Sequence, residues 1–232
     1  MTTRSEVLAV GRLRRIWRQT QAAAIRLTLV VLATLLAAPA VSAQQSYPQL
    51  SRDEELRLAM SAGPLTVTQD ADVYVLGEHG FERVIEGSNG FACLVVRSAR
   101  DRTLLAPHCL NPAATETVLP AMLREGELQA EGLDANEIEA RLKQEWNDGE
   151  LPLPAGPAYA YMLSEGQRLG PAGNFKPHFM LYVPYVTNAD IGGDPRHQEF
   201  PFVGPYENHP LSTVVIIMDE FVKPENVVLR RR

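Results

Sequence analysis

Hydrophobic positions along the chain recur first at helical and then at strand spacing. Leu56, Ala59 and Met60 fall at i, i+3 and i+4 behind Ser51-Arg52-Asp53-Glu54. That quartet is a capping box, in which the serine hydroxyl accepts an amide proton and the glutamate reaches back to the cap. Gly63-Pro64 stops the pattern, so the spacing predicts a helix over 52–61. From Leu65 to Arg97 the signals turn to strand. Val73–Leu76 and Phe81–Ile85 flank Gly77-Glu78-His79-Gly80, which predicts a hairpin with His79 solvated in its turn. A second turn, Gly87–Gly90, leads into Phe91–Arg97, and the three runs together predict an antiparallel meander.

Residues 112–149 return to helical spacing. Asn111-Pro112 supplies a cap with proline in the first turn, and Val118, Leu119, Met122 and Leu123 form an apolar stripe that Pro120 must kink or restart. The next helix is the most fully specified: Asp134 caps it, Glu137 closes the box, Leu133 can pack on Ile138, and Ile138, Leu142 and Trp146 share a face until Gly149. A stiff connector, Leu151–Pro157, precedes three predicted strands at 158–163, 178–183 and 213–218. The last is apolar at nearly every position, as for a strand covered on both faces. Loops rich in Gly, Pro and Asn fill 164–177 and 184–211, a length usual for functional or disordered segments. Strands, then helices, then strands predict an α+β domain over 51–232, one mostly antiparallel sheet backed by helices.

The first 43 residues differ from the rest. They hold six arginines against one acid, then an uncharged apolar run from Leu27 to Ala38, then Pro39 and Val41-Ser42-Ala43. This is the pattern of a secretory signal peptide cleaved after Ala43. A retained membrane anchor is the alternative, but Leu27–Ala43 is at the short end of the spanning range. Residues 44–50 are polar and expected to be loose. The expected address is therefore periplasmic or secreted, with no membrane association after cleavage. Removing the leader leaves 16 basic and 27 acidic side chains, a net charge of −11. That field repels nucleic acid, so the expected partner is a small molecule or a protein. Arg230-Arg231-Arg232 is a local exception that suits a frayed tail.

An exported chain with two cysteines, Cys93 and Cys109, is expected to bridge them. A nucleophilic Cys109 beside His108 is disfavoured, because adjacent strand residues point to opposite faces. A redox role for the pair is a further, weaker reading. The spacing fits no cysteine zinc site, and no cofactor or metal is expected.

Chemically useful residues are densest in 158–209. Tyr159 and Tyr161 alternate onto one face of their strand, and His178, Met180 and Tyr182 share a face of the next. Asn188, Asp190 and Asp194 follow in a loop, and His209 closes the region, while His197 sits in a charged surface turn. No metalloprotease, calcium-loop or nucleophile-elbow motif is present. Tyr159, Tyr161, Tyr182 and Asn188 are the candidate ligand-binding residues; His178, Asp190 and His209 are the candidate catalytic ones. Two readings follow. One is a non-catalytic accessory domain that binds a ligand or partner. The other is a hydrolase-like, metal-assisted enzyme, which requires His178, Asp190 and His209 to converge. Asn188 and Asp190, with Gly192 and Gly193, also suit a structural turn, the reading preferred for a loop without a motif.

Asn89-Gly90-Phe91-Ala92-Cys93, Pro107-His108-Cys109, Pro177-His178-Phe179-Met180 and Thr187–Gly192 resemble segments of a group of secreted bacterial proteins. The resemblance spans about Ala59 to Ile217. It implies a single exported domain and carries no activity, ligand or catalytic residue with it.

Overall fold

The computed structural model describes residues 47–170 and 173–229. Helix α1, Arg52–Met60, starts where the capping box places it: Ser51 accepts from the Glu54 amide, and Glu54 accepts from the Ser51 amide at 2.7 Å. Leu65–Thr68, inside the stretch predicted as strand, instead forms a single helical turn, α2, entered through Pro64. Strands β1, Asp72–Gly77, and β2, Gly80–Ile85, make the predicted hairpin, closed by the Gly77–Gly80 pair around Glu78-His79.

Strand β3, Ala92–Val96, departs from the predicted meander. It lies on the other side of β1 and runs parallel to it, with Val73 opposite Cys93. The hairpin returns the chain to the start of β1, so a strand laid on the free side of β1 must run the same way. Local hydrogen bonds fix this crossing: the Gly87 amide donates to Asp72 Oδ1 at 2.7 Å, and the Ser88 amide to the Asp70 carbonyl at 2.8 Å. Gly87 is required there, since a Cβ would lie 2.3 Å from the Ala71 backbone.

Strand β4, Ala106–Leu110, is antiparallel to β3. The sequence treats His108 and Cys109 as neighbours on a strand but delimits no strand there, and Pro107 argues against a central one. Helices α3, Pro112–Thr117, α4, Leu119–Ala130, and α5, Ala135–Asn147, follow with the expected caps at Asn111 and Asp134, and the chain restarts between α3 and α4 beside Pro120. Gly126 lets α4 approach β2: a Cβ there would meet the Phe81 ring at 2.7 Å. Strands β5, Tyr159–Met162, and β6, His178–Tyr182, come next, then a helical turn α6, Asn188–Ile191. The two-residue β7, Phe202–Val203, also unforeseen, and β8, Thr213–Ile217, complete the sheet.

Among the described residues the eight strands form one mixed sheet in the order β2-β1-β3-β4-β5-β6-β8-β7, a single α+β domain. One face carries the main core, Leu94, Leu110, Ala160, Met162, Met180 and Val215, packed under Val118, Leu119 and Met122 of the α3–α4 layer. Among the described residues, α1 packs on the opposite face over β1, β3 and β4, where Leu56, Ala59 and Met60 meet Val73, Cys93, Val95 and Cys109, joined by Val227 near the C-terminus. Cys93 and Cys109 are direct cross-strand partners and form the expected disulfide, wholly buried. A bridge closing so short a loop stabilises the fold by about 3 kcal/mol in the chain-entropy model. No helix among the described residues is long and apolar enough to cross a membrane. The leader over 1–43 and the terminal arginines lie outside the described residues.

Candidate functional site

Register decides which candidates share a face. Tyr161 pairs with Phe179, Phe179 with Ile216, and Tyr159 with Leu181, which pairs with Val214. Tyr159, Tyr161, Phe179, Leu181, Val214 and Ile216 therefore lie on the face where α1 stops short, beyond β4. The two tyrosines, Phe179, Leu181 and Val214 are half-buried, and Ile216 is 38% exposed. The expectation that 213–218 is covered on both faces fails here: Val215 is buried beside the main core, whereas Ile216 and Met218 reach solvent.

The rings on this open half-face pack on one another. Phe179 lies 4.8 Å from Tyr159 and 5.6 Å from Tyr161 between centroids, the tyrosines meet edge to face at 5.5 Å, and Phe91 approaches Tyr159 at 6.4 Å. The contacts of Phe179 with the two tyrosines cross from β6 to β5, and such cross-strand aromatic pairs stabilise a sheet by roughly 0.2–1 kcal/mol each. Asn111 positions the set: its Oδ1 accepts from both the Ala114 amide, capping α3, and the Tyr159 amide at 2.9 Å. Burial, reinforced by Tyr161, raises the Tyr159 phenol above its ordinary pKa. At one border, Gly63 at the end of α1 leaves room beside Cys109 and Tyr161.

Tyr182 does not join them. Alternation along β6 turns it to the opposite face, where it is buried in the main core and its phenol is driven far up by desolvation. The three tyrosines thus do not line one pocket. Asn188 is a structural clasp: its Oδ1 accepts from the Val203 amide at 2.8 Å, and its Nδ2 donates to the Val203 carbonyl and to Glu207.

The candidate catalytic residues occupy three neighbourhoods. His178 opens β6; it is buried, and its Nδ1 sits 2.8 Å from the Lys176 carbonyl. Asp190 lies beyond the other end of β6, in α6, where it is exposed and accepts from the Thr187 amide and hydroxyl, bonds that lower its pKa. His209 stacks edge-on against Trp146 at 5.3 Å and accepts at Nδ1 from the Leu211 amide. A carbonyl only accepts, so His178 carries its proton on Nδ1; an amide only donates, so neutral His209 carries its proton on Nε2. The three side chains are not assembled into one constellation. The loop that holds two of them is clasped at its base, with Tyr185 and Asn208 at positive φ and hydrogen bonds from Tyr185 to His209 and from Asn208 to Val186.

Sequence reasoning missed the buried charges. Arg97 and Glu55, at 1% and 8% side-chain exposure, pair at 2.9 Å. Glu125 on α4 is pushed up to about 7 by burial, against the pull of the Gln129 amide. Their partners lie 42 and 4 positions away, and only the second spacing is a helical signal. A concavity between α4 and α5, lined by Leu123, Arg124, Glu127 and Glu145, is crossed by the Arg124 ion pairs to both glutamates. Compared with protein-family models, curated proteins and solved structures, the chain shows no significant match.

Proposed function

We propose that this is an exported, disulfide-stapled, non-catalytic domain that binds a ligand or partner through the open aromatic half-face of β5, β6 and β8. One observation carries the reading: Tyr159, Tyr161, Phe179, Leu181, Val214 and Ile216 form a contiguous apolar surface beyond the edge of α1. Contiguous exposed apolar patches on folded proteins mark contact sites more often than scattered single residues do. The disulfide and the absence, among the described residues, of a membrane-spanning helix are compatible with export. The arginine-rich start, apolar run and Val41-Ser42-Ala43 support it from the sequence.

A hydrophobic dye whose emission rises on apolar surfaces tests the binding face. The native wild-type domain is expected to enhance its fluorescence, and Tyr159→Ser/Phe179→Ser to lose most of that enhancement while keeping its far-UV circular dichroism. Equal enhancement by both proteins, or none by the wild type, sinks the assignment. Export is tested in cells. The mature chain should begin at Gln44 in the periplasm or medium, with both cysteines refractory to maleimide; leader-bearing cytosolic protein with two alkylatable thiols contradicts it.

A further inference from the structure

A second row across the sheet, on the opposite face, holds an unused set of donors. Cys109 pairs with Tyr161 in the last pair of the β4–β5 ladder; His108 precedes the one and Met162 follows the other, so strand alternation puts both on the same face just past its end, and Met162 pairs with His178. The row therefore runs Leu94, His108, Met162, His178, Ile217, since Leu94 pairs with His108 and His178 with Ile217. Two strand spacings, about 10 Å, separate the histidine backbones, with Met162 between them in sequence across the sheet.

Both histidines follow a proline and are held identically. Each ring Nδ1 lies 2.8 Å from the carbonyl two residues earlier, Ala106 for His108 and Lys176 for His178. Each Nδ1 must donate, which leaves Nε2 with a free lone pair in both rings. Metal-binding histidines are characteristically oriented in this way, one nitrogen donating to a backbone carbonyl and the other on the ion. The residues are 8% and 4% exposed, and burial keeps both rings neutral. Gln167 braces the same Lys176 carbonyl. Gln167 is 1% exposed, and its Nε2 donates to Phe175 and to Lys176, the carbonyl that also holds His178. Its Oε1 is buried with no partner.

The donor set selects the ion. No group of three or more His, Cys, Asp or Glu side chains among the described residues could hold a metal, and a site using a thioether falls outside that set. Two neutral imidazoles and a thioether bring no negative charge to offset a buried dication. A soft monovalent ion carries the smallest desolvation cost, and thioether ligands favour copper(I). We propose that His108, Met162 and His178 form a buried copper(I) site, independent of the aromatic binding face.

Competition against a chromophoric copper(I) chelator under ascorbate, with the oxidised mature protein, tests this. Wild type is expected to withdraw one equivalent of copper(I) and to melt at a higher temperature with it, while zinc(II) is not retained. Met162→Leu, which conserves volume and keeps the core filled, should weaken binding at least tenfold, as should His178→Phe; a surface control, His79→Ala, should not. X-ray absorption should show nitrogen and sulfur around the bound copper. Failure of the wild type to withdraw copper, equal retention of zinc, or undiminished binding by Met162→Leu overturns the proposal.

Discussion

Replacing Glu55 by alanine is expected to destabilise the domain by about 3–5 kcal/mol, the usual penalty for stranding one member of a buried ion pair. Arg97 follows the last residue of β3, on the α1 face. Its guanidinium is held by Glu55 at 2.9 Å and by the Val95 carbonyl at 2.8 Å, and its Nε has no partner. Burial lowers the Arg97 pKa, and Glu55 is the largest influence opposing that shift. Without the carboxylate, a desolvated cation remains under α1. Urea unfolding should show the loss as a shifted midpoint with an unchanged slope. The double variant Glu55→Leu/Arg97→Met should recover most of the stability, because removing both charges removes the desolvation cost as well as the attraction. A double variant as unstable as Glu55→Ala would assign the loss to packing instead.

Acidification is expected to weaken the fold through His108, by about 3 kcal/mol between neutral pH and pH 4. Burial, with a smaller push from His178, drives the ring down to about 4 from an ordinary 6.5, against the pull of the Ala106 carbonyl. In that window the unfolded chain binds the proton and the folded one does not. The stabilisation is thus complete above about pH 6.5 and lost as pH falls through the interval, at 1.36 kcal/mol per pKa unit. His178, shifted in the same direction by burial, adds to the descent. Glu125 has the opposite sign. Its carboxyl is raised to about 7, so the folded state binds the extra proton and stability falls as pH rises towards 7. Glu125→Gln should therefore stabilise the domain above pH 7, by about 1–2 kcal/mol given its partial exposure, and change little at pH 4. Urea midpoints at pH 4, 6 and 8 separate the two. If His108→Gln loses stability on acidification as steeply as the wild type, the buried ring is not the source.

Elements whose signals are local were legible in the chain. Ser51 and Glu54, and Asp134 and Glu137, close their boxes within one turn, and both helices begin where those pairs place them. The hairpin of β1 and β2 follows from Gly77 and Gly80 in the same way. The placement of β3 was not legible. Antiparallel and parallel neighbours of β1 look alike in a single strand, and the choice was made by which flank of β1 lay free after the hairpin. Strand β4 was obscured by Pro107, whose missing amide the sheet tolerates. The Tyr159–Tyr161 alternation foretold a shared face, but Tyr182 turned away from it, because facing across strands depends on register rather than on position within one.

The amino-acid order alone determined the caps, the turns, the pairing of the two cysteines and the α+β composition, since each depends on residues close along the chain or on there being only two thiols. Tertiary structure decided where α1 ends over the sheet, which left the aromatic half-face open. It also set Glu55 against Arg97 and laid His108 and His178 on either side of Met162. Those outcomes rest on strand order and register, and both are fixed only when segments far apart in sequence compete for the same buried surface.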